Sequence, residues 1–306
     1  MNNSQMTDHL GDGSYSSDLH STKSEITSSA NVRSRTVLSR NHPLIKQILS
    51  LHSREGREST GLYYIEGVRF VAQAALYNAN IESLVVCPPL LTHPFARKLV
   101  TDKQQAGTPV TVVSPEVLRT LSLVNDAQGI GAVVHQKWLP LDRVKLRGKL
   151  CWVACEALQS PGNLGTILRT CDAVGAAGVI FFGGATDPYD PATVRASMGS
   201  LFSQRFVRTT IAEFAAWKEP RRWTLVGTDP SAEKSYRELP YAEPTVLFIG
   251  NERKGLSEEL KSLCDQFVRI SMVGHTDSLN VSVTTAVILY EIFNKKRDSA
   301  DFSLAG

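Results

Sequence analysis

From residue 150 onward, apolar segments typical of buried strands alternate with segments of helical periodicity. The strand patterns cover residues 150–155, 178–182, 223–228, 245–249 and 267–270, and the helical patterns cover 164–173, 191–201 and 257–263. Strands that are buried on both faces and joined by helices are typical of parallel sheets. The alternation therefore predicts an α/β fold with a parallel sheet covered on both faces. Ligands of such sheets bind beyond the carboxyl ends of the strands, so the loops that follow the strands are candidate functional sites.

The last helical pattern, residues 279–293, is apolar on nearly every face and is followed by basic residues. A helix that is hydrophobic all round is normally buried, and Ser278 or Asp277 can cap its N-terminus. Ser278 and Asn280 are nevertheless polar groups at the mouth of a buried helix, where an amide without partners costs a few kcal/mol. The simplest interpretation of these residues alone is a helix cap with one satisfied core Asn.

The rest of the chain divides by composition. Residues 36–138 contain a second, shorter alternation of strand and helix patterns, which predicts a small α/β domain. Residues 139–149, with Pro140 and several basic residues, are predicted to be a linker to the domain at 150–297. Residues 1–35 are rich in Ser and Thr and poor in large apolar residues, so we expect a disordered tail there. Residues 298–306 are expected to form a short C-terminal tail.

Charge and cysteine content narrow the function classes. Lys and Arg total 33 against 30 Asp and Glu, so the formal net charge is +3 and any nucleic-acid footprint must be local. No apolar run is long enough to span a membrane, and the N-terminus lacks the apolar core of a secretory signal. The five scattered cysteines fit reduced, buried thiols, so we expect a cytoplasmic protein. Cys151 and Cys155 have no second Cys or His pair nearby, and no metal is expected.

Three loops that follow predicted strands carry polar residues together with a Gly or another small residue: 159–165, 250–257 and 278–280. A ligand approaches the backbone most easily at such positions. Loop 250–257 has the glycine spacing of a P-loop, but Leu256 stands where the phosphate-binding Lys is needed. Loop 159–165 lacks the leading Gly-x-Gly of a dinucleotide fingerprint, and the chain has no Gly-x-Ser-x-Gly elbow. Triphosphate, NAD and serine hydrolase sites are therefore not expected.

Taken together, the three loops resemble the motifs of the SpoU (TrmH-like) RNA 2'-O-ribose methyltransferases of the SPOUT superfamily. The matching segments are NLGTILRT at 163–170, FIGNERKGL at 248–256, and the residues from Ile270 to Val283 that include Ser278-Leu279-Asn280. The segments at 187–191, 194–199, 65–67 and 128–130 also look like family sequence, and the resemblance covers residues 38–294 in order. Ser271 and Ala127 stand where the family often has Pro, but neither is a polar catalytic position.

The resemblance implies a C-terminal SPOUT domain with a deep trefoil knot, preceded by an RNA substrate-binding domain that resembles some ribosomal proteins. It implies S-adenosylmethionine as methyl donor and a ribose 2'-hydroxyl of RNA as acceptor. It also implies a homodimer through the C-terminal domain, with the last helix at the interface. The apolar residues Val287, Ile288 and Leu289 suit that interface.

The resemblance also assigns site residues. The expected catalytic residues are Arg169, Asn163, Glu252, Ser278 and Asn280. The expected cofactor-binding residues are Gly227, Thr228, Gly250, Asn251, Ile270, Met272 and Leu279. A strip of Arg195, Ser197 and Arg205, with Arg208 nearby, is expected to contact the RNA backbone without reading its sequence. In such a pocket the polar groups of Ser278 and Asn280 would gain partners.

The 2'-hydroxyl is a poor nucleophile, so transfer needs in-line placement and an acceptor for its proton. Family proposals let the Arg corresponding to Arg169 act as a base, but a guanidinium stays protonated above pH 12. We favour a role for Arg169 as a cation that binds the phosphate next to the target ribose and stabilises the developing alkoxide. The proton then leaves to a phosphate oxygen, to water or to Glu252.

The motifs leave four hypotheses of function. The two-domain plan resembles enzymes that act on large-subunit rRNA, including thiostrepton-resistance-type enzymes, and a tRNA 2'-O-ribose methyltransferase is the alternative. A non-catalytic RNA-binding or ribosome-assembly protein would not require all five polar motif residues. Chemistry by the Cys171 thiol is the least favoured hypothesis, since no neighbouring group lowers the pKa of this thiol. An antibiotic-resistance role and a ribosome-maturation role are both compatible with these motifs.

Overall fold

The computed structural model describes residues 34–37, 39–145, 150–184, 187–241, 244–276 and 278–298. Both predicted tails fall largely outside these ranges, as does Asp277, one of the two predicted helix caps. The described residues form two α/β units, in agreement with the predicted fold class.

The N-terminal unit is a mixed five-stranded sheet with helices. Its elements are β1 Ser34–Val37, α1 Pro43–Ser50, α2 Arg54–Thr60, β2 Leu62–Glu66, α3 Val68–Leu76, β3 Ile81–Val86, α4 Pro94–Gln105, β4 Val110–Val113, α5 Pro115–Leu121 and β5 Ile130–His135. The strand order is β1-β4-β3-β5-β2, with β1, β4 and β3 parallel and β5 antiparallel to both of its neighbours.

Two features of this unit differ from the sequence prediction. Ser34 and Arg35, assigned to the disordered tail, belong to β1, because β1 gains its hydrogen bonds only by pairing with the distant β4. Two helices also follow each other here without an intervening strand, which the expected alternation does not include. The second begins after Ser53, whose hydroxyl accepts a hydrogen bond from the Gly56 N–H and so caps a new N-terminus.

The C-terminal unit is a six-stranded sheet whose strands are all parallel, as predicted. Its elements are β6 Trp152–Glu156, α6 Pro161–Ala173, β7 Gly178–Phe182, α7 Pro191–Ala196, β8 Phe206–Thr209, α8 Ile211–Lys218, β9 Thr224–Thr228, β10 Thr245–Ile249, α9 Glu258–Leu263, β11 Gln266–Val268 and α10 Val281–Asp298. The strand order is β11-β9-β10-β6-β7-β8. The pair β8 and α8 was not predicted, although Thr210 and Glu213 form a capping box at the start of α8.

The strand order places two of the polar loops side by side. The chain leaves β6 toward β7 on one side, whereas β10 lies on the other side of β6. The loops after β6 and β10 therefore diverge at a switch point of the sheet, which is the usual place for a ligand in an open α/β fold.

The last helix, α10, differs from the expected buried helix in its start, its cap and its exposure. It begins at Val281, and the side chain of Asn280 accepts a hydrogen bond from the Ser282 N–H at 2.8 Å, so Asn280, rather than Ser278, is the cap. The inward side chains Thr285, Ile288, Leu289 and Ile292 are fully buried. Val283 and Tyr290 are each 47% exposed, so the helix has an apolar outer face that the described residues leave partly uncovered.

The two units meet through a buried ion-pair cluster. Arg57 of α2 is 1% exposed, and its guanidinium lies 2.8 Å from Asp187 and 3.3 Å from Asp190 in the loop after β7. The same guanidinium donates to the carbonyl oxygens of Leu51 and His52. Removing one partner from such a cluster would leave an uncompensated buried charge, so the cluster fixes the two units against each other.

The predicted linker is packed where it begins. Leu139 donates its N–H to the Phe206 carbonyl at 2.7 Å, and Trp138 forms a bridge with Phe206 at the start of β8. The Trp138 ring also packs edge-on against Tyr189 at 5.4 Å between ring centres. The first linker residue is therefore part of the joint, while residues 146–149 lie outside the described ranges.

Candidate active site

A cavity of about 330 Å³ lies at the carboxyl ends of β9, β10 and β11, beside the first turns of α10. Six of the seven residues predicted to bind the cofactor line it: Thr228, Gly250, Asn251, Ile270, Met272 and Leu279. Gly227 does not line the cavity, because a side chain at its position would point at Phe267 and Cys264 on the other face of the sheet. The cavity also has Thr284 and Ile288 in its wall. Sequence reasoning missed both, although their spacing from Asn280 and Val281 places them on one helix face.

The loop after β10 is a rigid turn. Asn251 and Gly255 exchange two backbone hydrogen bonds of 2.9 and 3.0 Å. The Asn251 side-chain oxygen accepts from the N–H groups of Arg253 and Lys254, and its amide donates to the Ala157 carbonyl at 2.8 Å. A side chain at Gly250 would collide with the Gly255 main chain, so the turn requires glycine there.

The cavity walls suit a nucleoside. Ile270, Met272 and Leu279 supply apolar surface on the side of the third motif loop. The main-chain N–H and C=O groups from Ile270 to Gly274 form no hydrogen bond with the main chain of another described residue, so they are available to a ligand. Apolar walls with a few convergent polar groups are the usual composition of small-molecule sites.

A chain of hydrogen bonds joins the three motif loops beside the cavity. The Glu252 carboxylate accepts from the Asn163 side-chain amide at 3.1 Å, and the Asn163 carbonyl oxygen accepts from the Asn280 amide at 3.1 Å. Glu252 also accepts from the N–H groups of Gln159 and Ser160 at the start of α6. The helix N-terminus and its N–H groups stabilise the negative charge of this carboxylate. Four of the five predicted catalytic residues are brought together, since Ser278 lines the cavity at the same end.

The electrostatics of this cluster keep Glu252 ionised. Partial burial acts to raise the pKa of its carboxyl group. Hydrogen bonds from its own N–H, from the Asn163 amide and from the N–H groups of Gln159 and Ser160 outweigh that effect and lower the pKa below its ordinary value. A carboxylate with a lowered pKa is a weak base at neutral pH. The carboxylate is also occupied by these donors, so its geometry suits a positioning residue better than an acceptor for the proton of the 2'-hydroxyl.

Arg169, the fifth predicted catalytic residue, does not line this cavity. It lies six residues after Asn163 on α6, about 9 Å along the helix axis. Its exposed side chain lines a separate groove of about 790 Å³ between α3, α6 and α10, which also contains Arg69, Ser197 and Tyr290. Arg169 forms no ion pair with a described residue, so it does not pair with Asp172, three residues further along the same helix. Instead, Asp172 accepts a hydrogen bond from Ser203.

The predicted RNA-binding strip is not a strip in the structure. Ser197 is 1% exposed, and its hydroxyl donates to the Val194 carbonyl within the turn that ends α7, so it is a structural residue. Arg205 precedes β8 at the amino edge of the sheet, the edge opposite the cavity. Arg208 stacks on Trp138 at 4.2 Å from the ring centre, and Arg195 lines a small cavity beneath the N-terminal unit. The four residues therefore do not form one strip, and RNA contacts by Arg195 and Arg205 stay a prediction.

The cysteines and the acidic residues support no other chemistry. Burial raises the pKa of the Cys171 thiol well above its ordinary value and raises that of Cys155 to about 12, so both are protonated and unreactive at neutral pH. Among the described residues there is no group of His, Cys, Asp and Glu side chains arranged to hold a metal ion. Within the same ranges, no helix has the length and apolarity needed to cross a membrane.

Comparison with known proteins agrees with this geometry. Residues 151–290 match the model of the SpoU rRNA methylase family, and residues 42–132 match the model of the MRM3-like substrate-binding domain. These two ranges correspond to the two α/β units.

Characterised relatives match along most of their length. The chain is 35% identical over 269 residues to the 23S rRNA (uridine(2479)-2'-O)-methyltransferase of Streptomyces viridochromogenes, covering 86% of this chain and 93% of the relative. It is 27% identical over 248 residues to the 23S rRNA (guanosine(2553)-2'-O)-methyltransferase RlmP of Bacillus subtilis, covering 81% of this chain and 95% of the relative.

Solved structures superpose over both units. The AdoMet-bound rRNA methyltransferase from Sinorhizobium meliloti matches with a TM-score of 0.78 at 31% identity, covering 87% of this chain and 98% of that one. The SpoU methyltransferase AviRb from Streptomyces viridochromogenes in complex with AdoMet matches with a TM-score of 0.77 at 33% identity, covering 84% and 99%. The fold, the motif loops and these relatives show that the chain belongs to the SpoU methyltransferase family.

Proposed function

We propose that this protein transfers a methyl group from S-adenosylmethionine to a ribose 2'-hydroxyl of large-subunit (23S) rRNA. The observation that carries the proposal is the hydrogen-bonded chain from Glu252 through Asn163 to Asn280 at the edge of the cavity. Binding alone does not require three loops to converge in this way. Two relatives that match along nearly their whole length are named as 23S rRNA 2'-O-methyltransferases, which favours rRNA over the tRNA alternative.

The cavity fits the cofactor. Ile270, Met272 and Leu279 would contact the adenine, and the free main-chain groups of the loop after Ile270 would read its edge. Gly250 and Asn251 would contact the opposite side of the cofactor. When bound there, S-adenosylmethionine supplies an electrophilic methyl group on a sulfonium.

The residues of the chain would act by positioning and by charge. Glu252, held ionised, orients the Asn163 amide, and Asn163 in turn holds Asn280 at the cavity edge. Arg169 would contact the phosphate next to the target ribose and stabilise the alkoxide that develops at the 2'-oxygen. The Glu252 carboxylate already accepts hydrogen bonds from Asn163, Gln159 and Ser160, so the proton would leave to a phosphate oxygen or to water.

A homodimer through α10 would complete this site. Val283, Val287 and Tyr290 follow one another at helical spacing on the outer face of α10, while Val281, Thr284 and Ile288 on the opposite side line the cofactor cavity. An isologous pair would pack the outer face of one α10 against the same face of the other. The expected interface residues Ile288 and Leu289 are fully buried within the chain, so Val283 and Tyr290 replace them in the proposal.

The dimer would also explain the position of Arg169. Arg169 shares its groove with Tyr290, so it lies at the edge of the outer face of α10. In an isologous pair whose α10 helices pack antiparallel, this edge of one copy would approach the start of α10 in the other, beside the cofactor cavity. We therefore assign Arg169 to the cavity of the second copy.

The trefoil knot is a further part of the proposal. The loop between β9 and β10 lies against the last turns of α10, where Lys295 donates to the carbonyl oxygens of Arg237 and Leu239. Lys296 donates to the Leu150 carbonyl at the start of β6. These contacts support a C-terminal helix that passes under that loop.

The proposal is tested by incubating the protein with methyl-labelled S-adenosylmethionine and separate pools of rRNA and tRNA. Label in 23S rRNA is expected. Label only in tRNA would overturn the substrate assignment. Protein that binds the cofactor and labels neither pool, including rRNA from immature particles, would favour the non-catalytic assembly role.

A further inference from the structure

A second cleft of about 960 Å³ opens beside the cofactor cavity, between the two units. Its walls are Arg54 at the start of α2, the loop after β6 from Glu156 to Gln159, and the turn from Asn251 to Ser257. The tip of this turn, with Arg253 and Lys254, lines the cleft and the cofactor cavity alike. A ligand in the cleft would therefore contact both units and lie next to the methyl donor.

The segment between the cleft and the cofactor cavity is held by a strained residue, Ala157, and by its hydrogen bond to Asn251. Ala157 has a left-handed backbone with φ of 48°, a strained conformation for a residue other than glycine. Its carbonyl accepts the hydrogen bond from the Asn251 side chain that anchors the turn. Strain of this kind persists only where the surroundings enforce it, and such positions cluster at functional sites. The anchored turn presents Arg253 and Lys254 outward with little backbone entropy to lose on binding.

The charges in the cleft favour an anionic ligand. Its carboxylates are already engaged: Asp187 and Asp190 pair with Arg57, and Glu156 accepts from the Ser257 N–H at 2.7 Å. Glu258 pairs with Lys261 at 2.8 Å. Arg253 and Lys254 are exposed, and neither forms an ion pair with a described residue. They are the cations available to a phosphate.

We propose that this cleft binds an unpaired segment of the RNA substrate, with Arg253 and Lys254 contacting its phosphates. The inference rests on the proposed function and names the surface on which the RNA strand lies. The cleft has the volume of a large small-molecule site, which suits a few unpaired nucleotides rather than a duplex. Proteins that read RNA sequence usually bind unpaired loops and bulges. Arg54 of the N-terminal unit, which pairs with Glu58 at 2.8 Å, lines the same cleft, so one strand would contact the recognition unit and the catalytic unit.

The test uses the full chain and a fluorescently labelled single-stranded oligouridylate of about ten nucleotides, a typical site size for single-strand binding. The double variant Arg253→Ala/Lys254→Ala is compared with wild type and with Arg222→Ala, an exposed cation before β9 at the opposite edge of the sheet. We expect about tenfold weaker binding for the double variant. We also expect its slope of log K against log salt to fall in magnitude by about 1.4, because two phosphate contacts are lost. Arg222→Ala should bind as wild type does.

The affinity for S-adenosylmethionine is measured on the same proteins, because Arg253 and Lys254 also line the cofactor cavity, and we expect it to fall less than the affinity for RNA. Unchanged RNA binding by the double variant would overturn the proposal. Weaker S-adenosylmethionine binding with unchanged RNA binding would overturn it in favour of a cofactor-carboxylate site. A wild-type preference for a duplex of equal length would overturn the assignment to unpaired RNA. None of these readouts depends on methyl transfer, so failure of the proposed function is seen separately, as wild-type protein that transfers no label.

Discussion

The side-chain amide of Asn280 donates a hydrogen bond of 3.1 Å to the side-chain oxygen of Asn163, a residue 117 positions away in the chain. The Asn163 amide in turn donates a hydrogen bond to the Glu252 carboxylate, and the Asn280 side chain caps α10 by accepting from the Ser282 N–H. Each residue is therefore both structural and part of the candidate site. Asn280 therefore takes the capping role that was predicted for Ser278 or Asp277, and its role in the candidate site stays a prediction.

The link through Asn163 can be broken directly. Asn163→Ala removes one donor from Glu252 and the acceptor of Asn280, and we expect kcat/KM for RNA to fall about 10- to 100-fold, the equivalent of one hydrogen bond to a charged group. The matched control is the neighbouring Gly162→Ala. A side chain there meets only the Ser160 hydroxyl at 3.6 Å, so activity should be kept. Equal activity of Asn163→Ala and the control would contradict the role of the hydrogen-bonded chain.

Glu252→Gln should change the pH dependence of stability. The pKa of Glu252 is lowered by folding, so its carboxylate stabilises the native state above the pKa of the unfolded chain, about 4.3. This contribution is lost as the pH falls through the lower pKa of the folded state. The Tm of Glu252→Gln should therefore be below that of wild type at pH 7, and the difference should narrow in acid. A constant difference at all pH values would contradict the assignment.

The assignment of Arg169 to the second copy is tested with mixed dimers. Arg169→Ala and Glu252→Ala should each abolish methyl transfer while S-adenosylmethionine binding by Arg169→Ala persists. Half of the dimers in an equal mixture would carry both kinds of subunit, and each of these would have one intact site. We expect about one quarter of wild-type activity to return after subunit exchange. If mixing restores no activity although mixed dimers form, Arg169 acts within its own chain.

The outer face of α10 gives a prediction on assembly. Tyr290→Glu places a charge on the proposed interface, and we expect the dissociation constant of the dimer to rise at least about 30-fold, the equivalent of about 2 kcal/mol. Sedimentation velocity measures this change. Phe95→Glu is the control, since Phe95 is 52% exposed on α4 of the N-terminal unit. Equal sedimentation of the two variants as dimers would place the interface elsewhere.

Sequence patterns predicted the parts of the fold that depend on local signals. The strands 178–182 and 245–249 lie where their apolar periodicity placed them. The motif loops converge because the carboxyl ends of parallel strands share one edge of the sheet. That much follows from order along the chain.

Other features depend on contacts that no local pattern encodes. β1 lies in a polar segment and is a strand only because β4 pairs with it. β8 has four residues, one of them Arg208, and without β8 the side of the sheet on which Arg205 lies cannot be deduced. Val287, Ile288 and Leu289 were read as one surface, but consecutive helical residues point in different directions and two of the three are buried. Arg169 is likewise separated from the cavity because six residues along α6 turn its side chain to a different face of the helix from Asn163.

The most direct test of the account is the chemical position of the transferred methyl group. Labelled 23S rRNA is hydrolysed with alkali, which cleaves a phosphodiester only where the neighbouring 2'-hydroxyl is free. We predict that the label is recovered in an alkali-resistant dinucleotide from one position, and that Arg169→Ala yields none. Recovery of the label in mononucleotides would show methylation of a base and would contradict the proposed reaction.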